Sequence, residues 1–252
     1  MKLVDKTEPG TLMQTVADGV YVRMVEAILF GDLASSSRLN LQELAEKYQV
    51  SMSPVREALQ RLAAEGFIET IPRRGFRIRK PSARHVTELW RVRLGLELMA
   101  GELLIEQIQT TKDLSAVLQM ESIQAEIDNR TDLTQREHIE LNSNFHRRLI
   151  DGAGNQLLAS VYHGIQMQLM GAWVQRGIDD WRARLGAERE EHHQIINALK
   201  EGNPAQLVAA IRGHLGRSLN SAIDDLSAQL EPAEGWLANR AHDINQRQGT
   251  TQ

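Results

Sequence analysis

Three histidines and one asparagine of this chain fall where apolar side chains should stand. His146 recurs at helical spacing with Asn142, Phe145 and Leu149, His192 with Ile195, Ile196 and Leu199, and His214 with Leu207, Ala210 and Ile211. Residues at i, i+3 and i+4 share one helix face, so each of these imidazoles points into a core. Two of them also match in height. The run KEGNP at 200–204 ends one helix and starts the next, and His192 and His214 each lie eleven residues from Asn203. In an antiparallel pair both then sit about 16 Å from the corner, at 1.5 Å rise per residue. Facing histidines can hold a divalent metal, and Asn142, one turn before His146, could add an oxygen. Alternatively each is a core histidine satisfied by hydrogen bonds. Spacing alone does not bring the His146 helix to the other two. No inward Glu or Asp beside the cluster stands out as a general base. The remaining histidines, His85, His138, His163, His193 and His242, fall off the stripes and read as solvent-facing.

The elements that must carry these side chains are helices. From Val86 onward apolar stripes recur to about Leu226, the first running Leu89, Val92, Leu96, Met99 and Leu103, with breaks at 109–113, 128–134, 151–155, 177–180 and 201–204. That predicts about six helices in an antiparallel bundle. Trp173 and Trp181 serve either that core or a pocket in it. The chain of 252 residues is 42% hydrophobic but only 4% aromatic, with no cysteine. Scarce aromatics disfavour an all-β fold, and the missing cysteines exclude disulfides and thiolate chemistry. No apolar run is long enough for a membrane span and MKLVDKTEPG has no signal core, so a cytoplasmic location is expected.

The N-terminal third has a different character. Residues 1–80 hold 12 Lys+Arg against 10 Asp+Glu, while the net charge of the whole is −4. Five of the basic residues lie between Arg73 and Lys80, the kind of footprint that meets phosphate. Val16, Val20, Met24 and Ile28 trace a first helix, stopped by Gly31 after a span of 16–30. The polar, turn-rich segment 32–40 leads to a second helix, LQELAEKY, capped by Asn40 with Glu43 completing a capping box. After QVSM a third helix begins, with Ser53 as N-cap and Pro54 at the first helical position, burying Val55, Leu59, Leu62 and Ala63 and ending at Gly66. FIETIPRRGFRIRK then alternates with period two around a turn at Pro72–Gly75, a β-hairpin with arginines at its tip. Three helices and a basic hairpin make a winged helix-turn-helix, whose second turn helix enters a major groove.

The run ELAEKYQVSMSPVREALQRLAAEGFIETIPRRGFRI resembles the DNA-binding domain of the GntR family of bacterial regulators, over residues about 14–80. The family form reads V-S-R-T-P-V-R-E-A-L, then R-L-x-x-E-G and an R-R-G wing. The resemblance implies DNA contacts from Arg38, Gln42, Ser51, Ser53, Arg56, Arg73, Arg74 and Gly75. This chain departs at Met52, where the family has arginine, and Gln42 stands where some members place a basic side chain. Residues 85–226 resemble the helical effector domain of the FadR-type subfamily, called FCD. Its signature is met by R-L-G-L-E at Arg93–Glu97, N-S-N-F-H at Asn142–His146, E-H-H-Q-I at Glu191–Ile195, and His214–Leu215. The resemblance implies Asn142, His146, His192 and His214 as ligands of a divalent metal (Zn, Ni or Mn), with Asn142 replacing the usual aspartate. Arg93 and Trp173 would line the pocket of a small carboxylate or sugar-acid effector.

The expected fold is mostly α: a winged helix-turn-helix over 1–80, an all-helical effector domain over 81–230 reached through the polar linker KPSA at 80–83, and a loosely held tail over 231–252. The expected protein is a homodimeric repressor on palindromic half-sites of double-stranded DNA, with no membrane partner. The alternative is a metal-dependent hydrolase built on the three histidines. Met52→Arg should raise affinity for operator DNA and steepen the salt dependence by about one ion if the new side chain meets a phosphate. Binding isotherms across a salt series measure both.

Overall fold

The computed structural model of the chain describes residues 15–29, 33, 38–72, 74–79, 82–174 and 181–229. The order of elements in it is α1 (Val16–Leu29), β1 (Arg38–Leu39), α2 (Leu41–Tyr48), α3 (Met52–Ala64), β2 (Ile68–Ile71), β3 (Gly75–Ile78), α4 (Ala83–Thr111), α5 (Ser115–Asn129), α6 (Gln135–Gly152), α7 (Gln156–Val174), α8 (Trp181–Glu201) and α9 (Pro204–Gln229). The fold is mostly α, with a small sheet in its N-terminal third. The stop at Gly31, the Lys80–Pro81 half of the linker, Arg73, the break at 177–180, the Trp173 side chain, His242 and the tail 231–252 lie outside the described residues.

The N-terminal module follows its sequence with three corrections. The sheet has three strands in the order β1-β3-β2, because Arg38–Leu39 pairs antiparallel with Phe76–Arg77. Two residues are too few to show an alternating pattern, so this edge strand is invisible within a turn-rich stretch. The third helix starts at Met52, with Ser51 as N-cap and no side-chain cap bond, not with Ser53 as cap. Pro54 then occupies the third helical position, which it tolerates because N–H groups of the first turn have no intrahelical acceptor. Asn40 caps α2 by accepting from the Gln42 amide, while Glu43 accepts from the Asn40 side chain rather than from its backbone. The α2–α3 turn is closed by Gln49 at φ 55, with the Gln49 and Val50 amides returning to Glu46 and Ala45. Gly66, at φ 80, ends α3 in the same way, with the Gly66 and Phe67 amides on Ala63 and Leu62. Both are Schellman closures, which favour glycine and tolerate glutamine at some strain.

In the bundle, α4 runs through the middle and packs on α6, α7 and α9, while α5 packs on α6 and α8. The buried face of α4 is not the stripe expected from its apolar residues. Val92 and Met99 are about half exposed, and the inward row is Val86, Leu89, Trp90, Arg93, Glu97, Ala100, Gly101, Leu104 and Ile108. An ion pair inside the row, Arg93 with Glu97, breaks the apolar pattern that periodicity detects. One hydrophobic cluster fills the bundle around Leu104, Phe145, Leu199 and Ile211. A second joins the N-terminal module to the bundle. It holds Val20, Met24, Leu59 and Ile78 together with Trp90 of α4, Ile139 of α6, Leu169 of α7 and Ala222 of α9.

The α5–α6 contact is close because Gly152 has no side chain. A β-carbon there would stand 2.5 Å from the Ala116 β-carbon, which cannot rotate away. Gly152→Ala should therefore destabilise the fold by about 1–3 kcal/mol, the usual range for overpacking, despite the better helix propensity of alanine. Urea denaturation of the variant measures it.

Candidate functional site

The three inward histidines meet. His146 on α6, His192 on α8 and His214 on α9 are each 0–1% exposed, and each offers a ring nitrogen within 4.8 Å of the others. His146 Nε2 lies 3.1 Å from His214 Nε2. The ring of His192 stacks on Phe145 with centroids 3.9 Å apart, which fixes its plane.

Each Nδ1 faces away from the meeting point and has its own acceptor. His146 Nδ1 lies 2.9 Å from Glu97 Oε2, His192 Nδ1 2.7 Å from Gln124 Oε1, and His214 Nδ1 2.9 Å from Glu191 Oε2. An ionised carboxylate only accepts, so His146 and His214 carry their protons on Nδ1. Burial in the apolar interior lowers the His146 pKa to about 4, with Arg93 and His214 adding to the effect against the opposing Glu97. Burial first, then the neighbouring histidines, hold His192 well below its ordinary value. His146 and His192 are thereby held neutral, and a neutral imidazole with its proton on Nδ1 has a bare Nε2 lone pair; the Nε2 of His146 faces that of His214.

Two ring nitrogens 3.1 Å apart need a proton or a metal cation between them. The surroundings favour the cation. Asn142 is fully buried and neither its amide oxygen nor its nitrogen has a hydrogen-bond partner, and the same holds for His192 Nε2. A buried polar group left unsatisfied costs about 1–3 kcal/mol, and Asn142 lies one helical turn before His146 on α6. Three bare imidazole nitrogens and an amide oxygen are a donor set for a borderline divalent cation, and His held through its second nitrogen is the usual support for such ligands. The residues present therefore fit the metal that the sequence resemblance implied.

The second ring of charge is built from ion pairs. Glu97 Oε1 is 2.6 Å from Arg93 Nε, with both groups buried. Burial alone would raise the Glu97 pKa, but Arg93 and His146 override it and hold the carboxylate at about 2. Glu191 takes two bonds from Arg217, at 2.5 and 2.6 Å, and is likewise held at about 2 against its own burial. These are the inward carboxylates that sequence reasoning missed. Glu97 stood in the R-L-G-L-E motif without a role, and its spacing of four from Arg93 was the available signal. Both carboxylates are committed to a guanidinium and an imidazole, so neither is a free general base. Tyr162 of α7 also reaches Glu97 Oε1, at 3.4 Å, and burial raises its pKa, so its hydroxyl keeps its proton.

His138 corrects another expectation. It is buried, not solvent-facing, one turn before Asn142, and bonds Glu188 at 2.6 Å while stacking on Trp181 with centroids 5.1 Å apart. The next buried residue on its own face, Asn142, is polar, so no buried apolar neighbour marks it at i+3 or i+4. Arg93 lies beside the histidine cluster through Glu97. In the N-terminal module Arg38, Gln42, Ser51, Ser53, Arg56, Arg74 and Gly75 are all exposed. Arg38 on β1 stands opposite Arg77 of the wing, and Met52, half exposed, opens α3.

Known proteins match both halves. Residues 88–217 match the family model described as the FCD domain, and residues 16–78 that of bacterial regulatory proteins of the gntR family. The transcriptional regulator LutR of Bacillus subtilis (strain 168) is 30% identical over 73% of this chain and 91% of its own. The gluconate operon transcriptional repressor of the same organism is 24% identical over 94% of this chain and 93% of its own. Among solved structures, E. coli McbR/YncC aligns with a TM-score of 0.71 at 20% identity, covering 84% of this chain and 99% of that one.

Removing one partner of a buried ion pair strands the other charge, a loss of about 3–5 kcal/mol. Glu97→Ala should therefore cost far more stability than Glu88→Ala on the exposed face of α4, with guanidinium unfolding as the measure.

Proposed function

The chain belongs to the GntR family of bacterial transcriptional regulators, in the group with an FCD domain, and on that premise we propose that it is a metal-dependent, acid-responsive repressor. It is a regulator of transcription and not an enzyme, as its relatives are. In the proposed reading, two copies of α3 enter successive major grooves of a palindromic operator, with Arg56 at base edges and Ser51, Ser53, Arg38, Gln42 and the wing residues Arg73, Arg74 and Gly75 on the backbone. Half-sites about one helical turn apart need two such helices. The outer row of α4, in which Val92 and Met99 are exposed and Leu96 and Leu103 partly so, supplies an apolar face that favours a homodimer. A cytoplasmic location follows from the DNA partner.

Asn142, His146, His192 and His214 would hold the cation. Imidazole nitrogens suit zinc or nickel better than manganese. When bound, the metal supplies a positive centre for the carboxylate of a small organic or sugar acid. Asn142 contributes an oxygen but no charge, so the centre keeps more of its positive charge than an aspartate would leave it. Arg93, fixed by Glu97, would face the effector. That some relatives are named for gluconate and D-xylose operons supports a sugar-derived acid. The route to DNA is short. Trp90 lies in the core shared with the N-terminal module and Arg93 one turn further lies at the site, and α6 repeats this with Ile139 and Asn142.

The observation that carries the reading is the convergence of three buried histidine nitrogens, with the orphaned Asn142 amide one helical turn from His146. Titrating zinc or nickel into chelator-stripped protein should give one site per chain, and simple carboxylates should then change its affinity for DNA from its own upstream region. A chain that takes no metal, with DNA binding indifferent to acids, overturns it. Asn142→Asp should bind the metal more tightly and gluconate or citrate more weakly; equal values in both proteins would contradict the charge argument.

A further inference from the structure

The three acceptors that orient the histidines are not equivalent. Glu97 and Glu191 are carboxylates and can only accept, so His146 and His214 have no choice of tautomer. His192 is held by Gln124, whose amide accepts at one end and donates at the other. Gln124 is fully buried on α5, and nothing in its own chemistry says which end faces the imidazole. Its Nε2 donates to Asp128 Oδ1 at 2.8 Å, one turn further along α5. Asp128 is in turn positioned by His193 Nε2 at 2.9 Å and Arg189 Nε at 3.5 Å, with its side chain 28% exposed.

We propose that Asp128, at the edge of the bundle, selects the ligating tautomer of His192 through Gln124, and so acts as a positioning residue for the metal site. The proposal rests on the metal reading above. An acceptor-only carboxylate fixes the amide nitrogen outward and the amide oxygen on His192 Nδ1, at 2.7 Å. The proton then stays on Nδ1 and the Nε2 lone pair stays bare toward His146 and His214. With the amide reversed, its NH2 would face Nδ1, the proton would move to Nε2, and an N–H would point at the centre in place of a ligand. The ring plane is held by Phe145 in either case, so the tautomer is the remaining freedom.

The test uses the full chain with Asp128→Ala and with Asp128→Ala combined with Gln124→Glu, which restores an acceptor-only group directly on Nδ1. Imidazole nitrogen NMR of the metal-free protein reads each tautomer, and competition with a chromophoric chelator reads zinc affinity. Asp128→Ala should move His192 toward the Nε2–H form while His146 and His214 keep theirs, and weaken zinc about 10–100-fold, the usual effect of losing such support. The double variant should recover both. Unchanged His192 signals in Asp128→Ala overturn the proposal, as does an altered tautomer with unaltered zinc affinity. Wild-type protein that binds no zinc would sink the metal reading, and the NMR comparison would still decide the tautomer claim. Loss of the His146 and His214 signals together with that of His192 would mean a merely structural role and also count against it.

Discussion

Three buried imidazoles share one constraint: each Nδ1 is tied outward to a fixed acceptor, so each Nε2 is turned inward toward the same point. The outward ties are spread over the bundle. Glu97 comes from α4, Gln124 from α5 and Glu191 from α8, and the imidazoles themselves from α6, α8 and α9. Five helices must therefore be in place before the lone pairs converge. A charged partner added to any one of them changes the donor set, because burial keeps His146 and His192 neutral. The site is thus a property of the packed bundle and not of any one motif.

The same helices continue out of the site into the core of the N-terminal module. Trp90, Ile139, Leu169 and Ala222 join that core from four different bundle helices. Arg136 of α6 also pairs with Glu26 of α1. A shift of α4 or α6 by a fraction of a turn, driven at Arg93 or Asn142, would reach α1 and α3 through packed side chains. Coupling of this kind requires the two arrangements to differ in effector affinity, and the buried Arg93–Glu97–His146 chain is where such a difference can arise.

Much of this was legible in the sequence, for identifiable reasons. The recognition helix, its wing and the caps at Asn40 and Gly66 are local patterns, and the helix count in the bundle follows from breaks that local residues make. The stripes around His146, His192 and His214 were legible because apolar neighbours frame each histidine. What stayed hidden was polar and non-local. The inward row of α4 was misjudged because Arg93 and Glu97 occupy two of its positions and satisfy each other across one turn. His138 was placed outside because its partners, Glu188 and Trp181, lie about fifty and forty residues away in sequence. The strand at Arg38–Leu39 exists only through its pairing with β3, and Gln124 gains meaning only from Asp128 and His192 around it.

The central claim is that the three Nε2 atoms and the Asn142 amide hold one divalent cation. X-ray absorption at the zinc edge, on protein loaded with one equivalent of zinc, tests it most directly. Multiple-scattering features of three imidazoles are expected, with Zn–N distances of about 2.0–2.1 Å and a further oxygen shell. A spectrum of oxygen neighbours with at most one imidazole would contradict it.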